Sequence, residues 1–278
     1  MQSLRRYGIL AGALVVAVVG CSSTSTTAPR TTPAPTAPGP TAAATPPTTA
    51  TSDVRVYFLQ GTKLAVAHRT VAATPAVATA TVHELLDGLT AADAGAGLVS
   101  AIPGKTELHG ITINGGTATV DLSAAFAGGG SPLSARLAQV TYTLTQFPTV
   151  GQVAFRVDGA PLATAPTATR ASFEDLAPAI LVESPGRGWS VRSPIAVSGT
   201  ADVFEAQFRV ELTDAAGVVL TDQPVHASSG TGTRGTFHTT VAFTTRTGGP
   251  ATLTVFDLSP KDGSRVNVGQ IPLELVAS

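Results

Sequence analysis

The chain has 278 residues, with 17 Lys and Arg against 18 Asp and Glu, a formal charge of −1, and charged residues make up only 13% of it. So even a balance argues against nucleic acid or an anionic surface as a partner, because neither finds a basic patch to neutralise it. A single cysteine excludes an internal disulfide, so the fold must rest on buried apolar surface.

Arg5 and Arg6 precede residues 9–20 (ILAGALVVAVVG), an apolar run of about a dozen residues. That is the length of a signal-peptide core and is too short to span a bilayer. Residues 1–20 are therefore expected to be an export signal. Val18-Val19-Gly20-Cys21 resembles the bacterial lipobox. The resemblance implies that Cys21 receives a diacylglycerol thioether and becomes the new N-terminus. Thioether chains with an N-acyl chain would hold the protein stably on the membrane, where a single chain would not. The expected location is the extracytoplasmic face of the cell membrane.

Residues 21–53 are rich in Ser, Thr, Ala and Pro and nearly free of large apolar side chains. Such a segment cannot bury enough surface to offset chain entropy, and it is expected to be a disordered tether.

The texture changes at Val54. Val54, Val56 and Phe58 alternate with Arg55 and Tyr57, then Gly61-Thr62-Lys63 turns the chain into Leu64, Val66 and His68, which predicts a hairpin. Thr74-Pro75 opens a helix whose apolar stripe is Val82, Leu85, Leu86 and Leu89, ending near Gly88. Residues 91–97 read as a loop of small residues. Asn114-Gly115 marks a second hairpin. Ser131-Pro132 opens a second helix carrying Leu133, Leu137, Val140 and Leu144, and Phe147-Pro148 stops it. Residues 150–159 form a last alternating strand. The order β-β-α-β-β-α-β over residues 54–161 predicts an α+β domain with its helices on one face of a sheet.

Residues 162–178 are polar and proline-marked and read as a linker. Over residues 179–278 the helical period vanishes and about seven short alternating runs follow, separated by turns such as Asp214-Ala215-Ala216-Gly217. That spacing predicts an all-β immunoglobulin-like sandwich, with Trp189, Phe204, Phe208, Phe237 and Phe243 filling a core that has no cysteine pair.

The segments VRVYFL, TVHELLDGLT, IPGKTEL, ITINGGTATVDLS and LAQVTYTLTQFPTVGQVAFRVDG, in this order and spacing, resemble the GerMN (sporulation and spore germination) domain of bacterial envelope lipoproteins. ILVESPGRGWSVRSPIAVSGTADVFEAQFRVEL and PKDGSRVNVGQIPLEL look like the immunoglobulin-like domain of bacterial spore-germination proteins. Together the resemblances imply a protein of sporulation or germination whose domains bind protein partners or help assemble an envelope complex.

Candidate chemistry is sparse. Gly104-Lys105-Thr106 lacks the glycine a phosphate loop needs, since position 99 is Val99. Residues 257–263 (DLSPKDG) echo a calcium loop but place Lys261 at a ligand position, so they read as a turn. The Gly128-Gly129-Gly130 run reads as slack before a helix. His68, His83, His109, His226 and His238 show no metal-ligand spacing. His83, Glu84 and Asp87 lie on the polar side of the first helix without a nucleophile or a third orienting group. No catalytic residue, metal site or cofactor is expected. If both helices cover one sheet face, Val54, Val56, Phe58, Val120, Leu122, Val153, Phe155 and Val157 point inward. The opposite face then carries Arg55, Tyr57, Thr117, Thr119 and Arg156, and Arg55, Tyr57, Thr119 and Arg156 are the candidate partner surface. The expected protein is thus a non-catalytic, lipid-anchored envelope module with an envelope protein as partner. The alternative is a module that binds peptidoglycan or another glycan, although one Trp and three Tyr give few stacking platforms.

Overall fold

The computed structural model describes residues 50–277, residue 166 excepted. The export signal, Cys21 and residues 21–49 of the tether lie outside the described residues. Among those that are described, no helix is long and apolar enough to cross a membrane.

The first domain opens with the hairpin of β1 (Thr51–Gln60) and β2 (Lys63–Ala72), turned at Gly61, whose φ of 61° is left-handed. Helix α1 (Val77–Asp87) follows and buries Val82 and Leu85. Residues 91–95, expected as loop, form the short helix α2 (Ala91–Gly95). Its cause is a capping box: Asp93 N donates to Thr90 Oγ1 while Thr90 N donates to Asp93 Oδ2. The strands β3 (Leu98–Val99), β4 (Leu108–Asn114) and β5 (Thr117–Leu122) come next, then α3 (Leu133–Leu144), β6 (Gln152–Val157) and β7 (Ala160–Pro161).

These strands form two sheets rather than the expected one, ordered β2-β1-β3 and β4-β5-β6-β7. The reason lies in α3. Strand β3 pairs with β1 only at Leu59 and Gln60, which leaves the backbone of Arg55 and Tyr57 open on that edge. Helix α3 and its last turn close it with side chains. Gln146 accepts from Arg55 N at 2.8 Å and donates to Arg55 O at 2.6 Å, Thr143 accepts from Tyr57 N, and Gln139 donates to Tyr57 O at 2.9 Å. Gln139, Thr143 and Gln146 fall at i, i+4 and i+7 and so share one helical stripe. A buried strand edge must find partners, and here a polar helix stripe supplies them in place of a strand. Every residue of α3 from Ala135 to Leu144 is buried. Arg136, only 3% exposed, donates to the carbonyls of Phe126, Gly129 and Ser131, so the glycine run expected to be slack is pinned to the helix.

The segment after β7 is not an open spacer either. Val153 and Ala168 exchange backbone hydrogen bonds, residues 170–176 form a 3-10 turn, and Ala168, Phe173 and Ala177 join the first domain's core. Leu181, already in the second domain's first strand, joins it too.

That second domain is a sandwich. A three-stranded sheet faces a five-stranded one. The three are β8 (Ile180–Ser184), β10 (Ile195–Ala201) and β13 (Gly235–Val241); the five are β9 (Ser190–Val191), β11 (Gln207–Asp214), β12 (Val219–His226), β14 (Gly249–Leu258) and β15 (Arg265–Leu275). Alternate residues of both sheets, among them Val197, Val210, Leu212, Val241, Leu253 and Val255, are fully buried. Phe208 and Phe237 meet edge to face at 4.8 Å in this core, and Phe243 is buried beside them. Trp189 (37% exposed) and Phe204 (58% exposed) do not join it, contrary to expectation. Trp189 lies just before short β9 and packs instead against His68 of the first domain, ring centroids 4.6 Å apart.

Candidate functional site at the domain junction

The four residues expected to form one partner surface fall into two separate pairs. Thr119 on β5 and Arg156 on β6 lie on neighbouring strands of the four-stranded sheet, Arg156 opposite Asp121 and exposed. Arg55 and Tyr57 belong to the other sheet. Tyr57 is fully buried, which corrects its assignment to an outward face. Alternation failed at β1 because Val56, Tyr57, Phe58 and Leu59 are all buried, so both faces of the strand are covered.

What covers Tyr57 is the junction. Its hydroxyl donates to Glu183 Oε1 at 2.5 Å, and Arg170 Nη1 donates to the same oxygen at 2.6 Å. Arg170 also donates to Tyr57 Oη at 3.2 Å and to Thr145 Oγ1 at 2.9 Å. Its guanidinium lies over the rings of Tyr142 and Tyr57, at 4.7 and 5.5 Å from their centroids. Arg55 Nη1 approaches the other Glu183 oxygen at 4.0 Å. Strand β1, the connecting segment and β8 thus meet at one carboxylate.

The electrostatics follow from this arrangement. Burial would push the Glu183 carboxyl up, but the Arg170 charge, the Tyr57 hydroxyl and Arg55 outweigh it and hold it below the usual carboxylate value. Burial, reinforced by the Glu183 charge, pushes the Tyr57 phenol far above the usual tyrosine value. Arg170 is raised as well, the neighbouring Tyr57 and Glu183 overcoming its desolvation. Glu183 is held ionised and Tyr57 protonated, each committed to the other. Such a pairing fastens two domains.

Two clefts flank this clamp. One, of about 280 Å³, is lined by Asp53, Arg55, His68, Gln146, Glu183 and Trp189 among others. His68 bridges it, Nδ1 lying 2.9 Å from Asp53 Oδ2 and Nε2 3.1 Å from the Glu183 carbonyl. The second, of about 250 Å³, lies between β2, β8 and β15. Among the described residues no group of three His, Cys, Asp or Glu side chains could hold a metal ion. Of residues 257–263, Asp257 and Leu258 end β14 and the rest form the turn toward β15, in which Asp262 accepts from Ser264 N and Oγ. Glu84 pairs loosely with Arg69 at 3.7 Å.

The comparisons with known proteins divide the chain into the same two parts. Residues 55–163 match the Germane family model, sporulation and spore germination, and residues 179–264 match Gmad2, the immunoglobulin-like domain of bacterial spore germination. The chain therefore carries a sporulation and spore germination domain followed by a spore-germination immunoglobulin-like domain. Among solved structures it is similar to the tandem GerMN domains of the sporulation protein GerM from Bacillus subtilis, with 14% identity and a TM-score of 0.40. That match covers 69% of this chain and 62% of the GerM chain. A Clostridium perfringens protein described as a candidate lipoprotein matches with 19% identity and a TM-score of 0.32, over 46% of this chain and 93% of that one. No curated protein sequence matches the chain.

Glu183 and Arg170 carry the junction and were not singled out from the sequence. A glutamate inside the apolar run Ile180-Leu181-Val182-Glu183 was the available signal, since a buried carboxylate needs a cation nearby.

Proposed function

We propose that this protein is a non-catalytic, lipid-anchored module of the cell envelope whose two domains, held as one body, bind a protein partner or help assemble an envelope complex linked to sporulation or germination. The observation that carries this reading is the junction. Two domains with sporulation and germination models are fastened by a buried carboxylate and guanidinium whose polar atoms are committed to structure, not aimed at a substrate. Cys21, behind a basic pair and an apolar run, supplies the anchor in this reading. Crosslinked pull-down from intact cells tests it. A reproducible protein partner that depends on the folded domains supports the reading, and recovery of none, with the chain intact and membrane-bound, opposes it.

A second reading, glycan binding, is favoured by one observation: Trp189, the sole tryptophan, is partly exposed beside the cleft lined by Asp53, Arg55 and Gln146. An aromatic face beside planar polar groups is what sugars stack on. Sedimentation with isolated peptidoglycan separates the two readings.

A further inference from the structure

The cleft between β2, β8 and β15 has an unusual wall. Its polar side chains are Gln60, Lys63, His68, Arg187 and Gln270, and no Asp or Glu lines it. Arg187 is half-buried yet bonds only a neutral group, donating to Gln60 Oε1 at 3.1 Å. Lys63 likewise donates to a backbone carbonyl, that of Asp175, at 2.7 Å. Neither cation has a carboxylate within ion-pair distance among the described residues, although six other arginines do. Residues 1–49 contain no Asp or Glu that could supply one.

A guanidinium withdrawn from water without a counter-charge is costly, and desolvation pulls Arg187 below the usual arginine value. The rest of the wall is aliphatic: Val66, Ile180, Val182, Val268 and Ile271 line it, and Val268 is 52% exposed. Gln60 and Gln270 add amides that can both donate and accept. The space, about 250 Å³, suits a short fragment and not a folded partner.

We infer that this cleft binds the C-terminal carboxylate of a short peptide, with Arg187 and Lys63 receiving the charge, Gln60 and Gln270 the adjoining amide, and the aliphatic wall a small apolar side chain. A bidentate guanidinium contact is the geometry by which arginine receives carboxylates. The inference stands apart from the envelope reading and holds or fails without it.

The test is titration calorimetry on the purified full chain with N-acetyl-glycyl-valine, its C-terminal methyl amide and inorganic phosphate. A ligand this small is expected to bind in the millimolar range. Saturable binding of the acid without binding of the amide is the expected result. Equal heats for acid and amide, or none for either, would overturn the proposal. Phosphate binding as tightly as the peptide acid would also overturn it, in favour of a general anion site. Arg187→Gln should weaken the peptide acid about ten-fold or more, as removing one partner of a desolvated charge pair does, while Arg246→Gln, at an exposed arginine that does not line the cleft, leaves it unchanged. Undiminished binding in Arg187→Gln contradicts the assignment. The acid-against-amide comparison uses the unaltered protein, so it decides the matter even if that variant folds poorly.

Discussion

The Tyr57 hydroxyl donates to Glu183 Oε1 across 126 residues of sequence, joining the first strand of one domain to the first strand of the other. Arg170 completes the contact from the segment that connects them. Removing one partner should cost more than the pair contributes, because what remains is an uncompensated buried charge. Arg170→Ala is expected to destabilise the protein by about 3–5 kcal/mol, and Tyr57→Phe by about 1–3 kcal/mol. Chemical denaturation of the two single variants and the double variant checks this. The double-mutant cycle should show coupling, and strictly additive losses would mean that the contact is incidental.

The ionisation of Glu183 makes stability depend on pH in a stated direction. Its folded-state pKa is depressed, so its contribution is present above the unfolded glutamate value and is lost as pH falls through the lower folded value. Asp93, whose own burial is outweighed by hydrogen bonds from Thr90 and by Arg69, acts in the same sense. Stability should therefore be level near neutrality and decline in acid. Glu183→Gln should flatten that decline, as measured by the thermal midpoint across the acid range, and an unchanged pH profile would contradict the assignment.

Both tyrosines among the described residues are pushed up, Tyr57 and Tyr142 each mainly by burial. In a Tyr7→Phe background these are the only tyrosines left. Ultraviolet titration of that variant should show no phenolate forming near 10.0, the ordinary tyrosine value, until the protein unfolds in alkali. A phenol titrating reversibly there would show that Tyr57 or Tyr142 reaches solvent.

Gln139 bridges Ala101 N and Tyr57 O, both buried. Gln139→Ala leaves a donor and an acceptor unpaired and should cost about 1–3 kcal/mol for each, whereas Thr145→Ala, whose hydroxyl bonds α3's own backbone and Arg170, should cost less. Equal losses in denaturant midpoint would contradict the role given to the polar stripe of α3.

Most of the elements were legible because their periodicity is strong. The hairpin at Asn114-Gly115, the apolar stripes of α1 and α3, and the seven principal strands of the sandwich each follow from spacing that local physics enforces. What escaped is what depends on the other side of the molecule. The capping box at Thr90 and Asp93 was written in the sequence, but its aspartate departs from the usual Glu or Gln and it opens no apolar run. Gln139, Thr143 and Gln146 were not singled out, because periodicity cannot distinguish a polar stripe facing water from one facing an open strand edge. Tyr57 was read as outward because alternation assumes a strand with one covered face, and β1 has two. Trp189 was read as core from its size, yet its place beside Gly186 and His68 puts it at the junction. Half of the candidate surface, Arg55 and Tyr57, meets Glu183 of the second domain, a contact that no local spacing announces.

The central claim is that the two domains form one body, through Phe173 and Leu181 in a shared core and Glu183 at its rim. Scanning calorimetry on the full chain and on Arg170→Ala tests it most directly. The account predicts one cooperative transition whose calorimetric and van't Hoff enthalpies agree, shifted downward as a whole by roughly 2–4 °C per kcal/mol lost in the variant. Two separate transitions, with only one of them moved by Arg170→Ala, would contradict it.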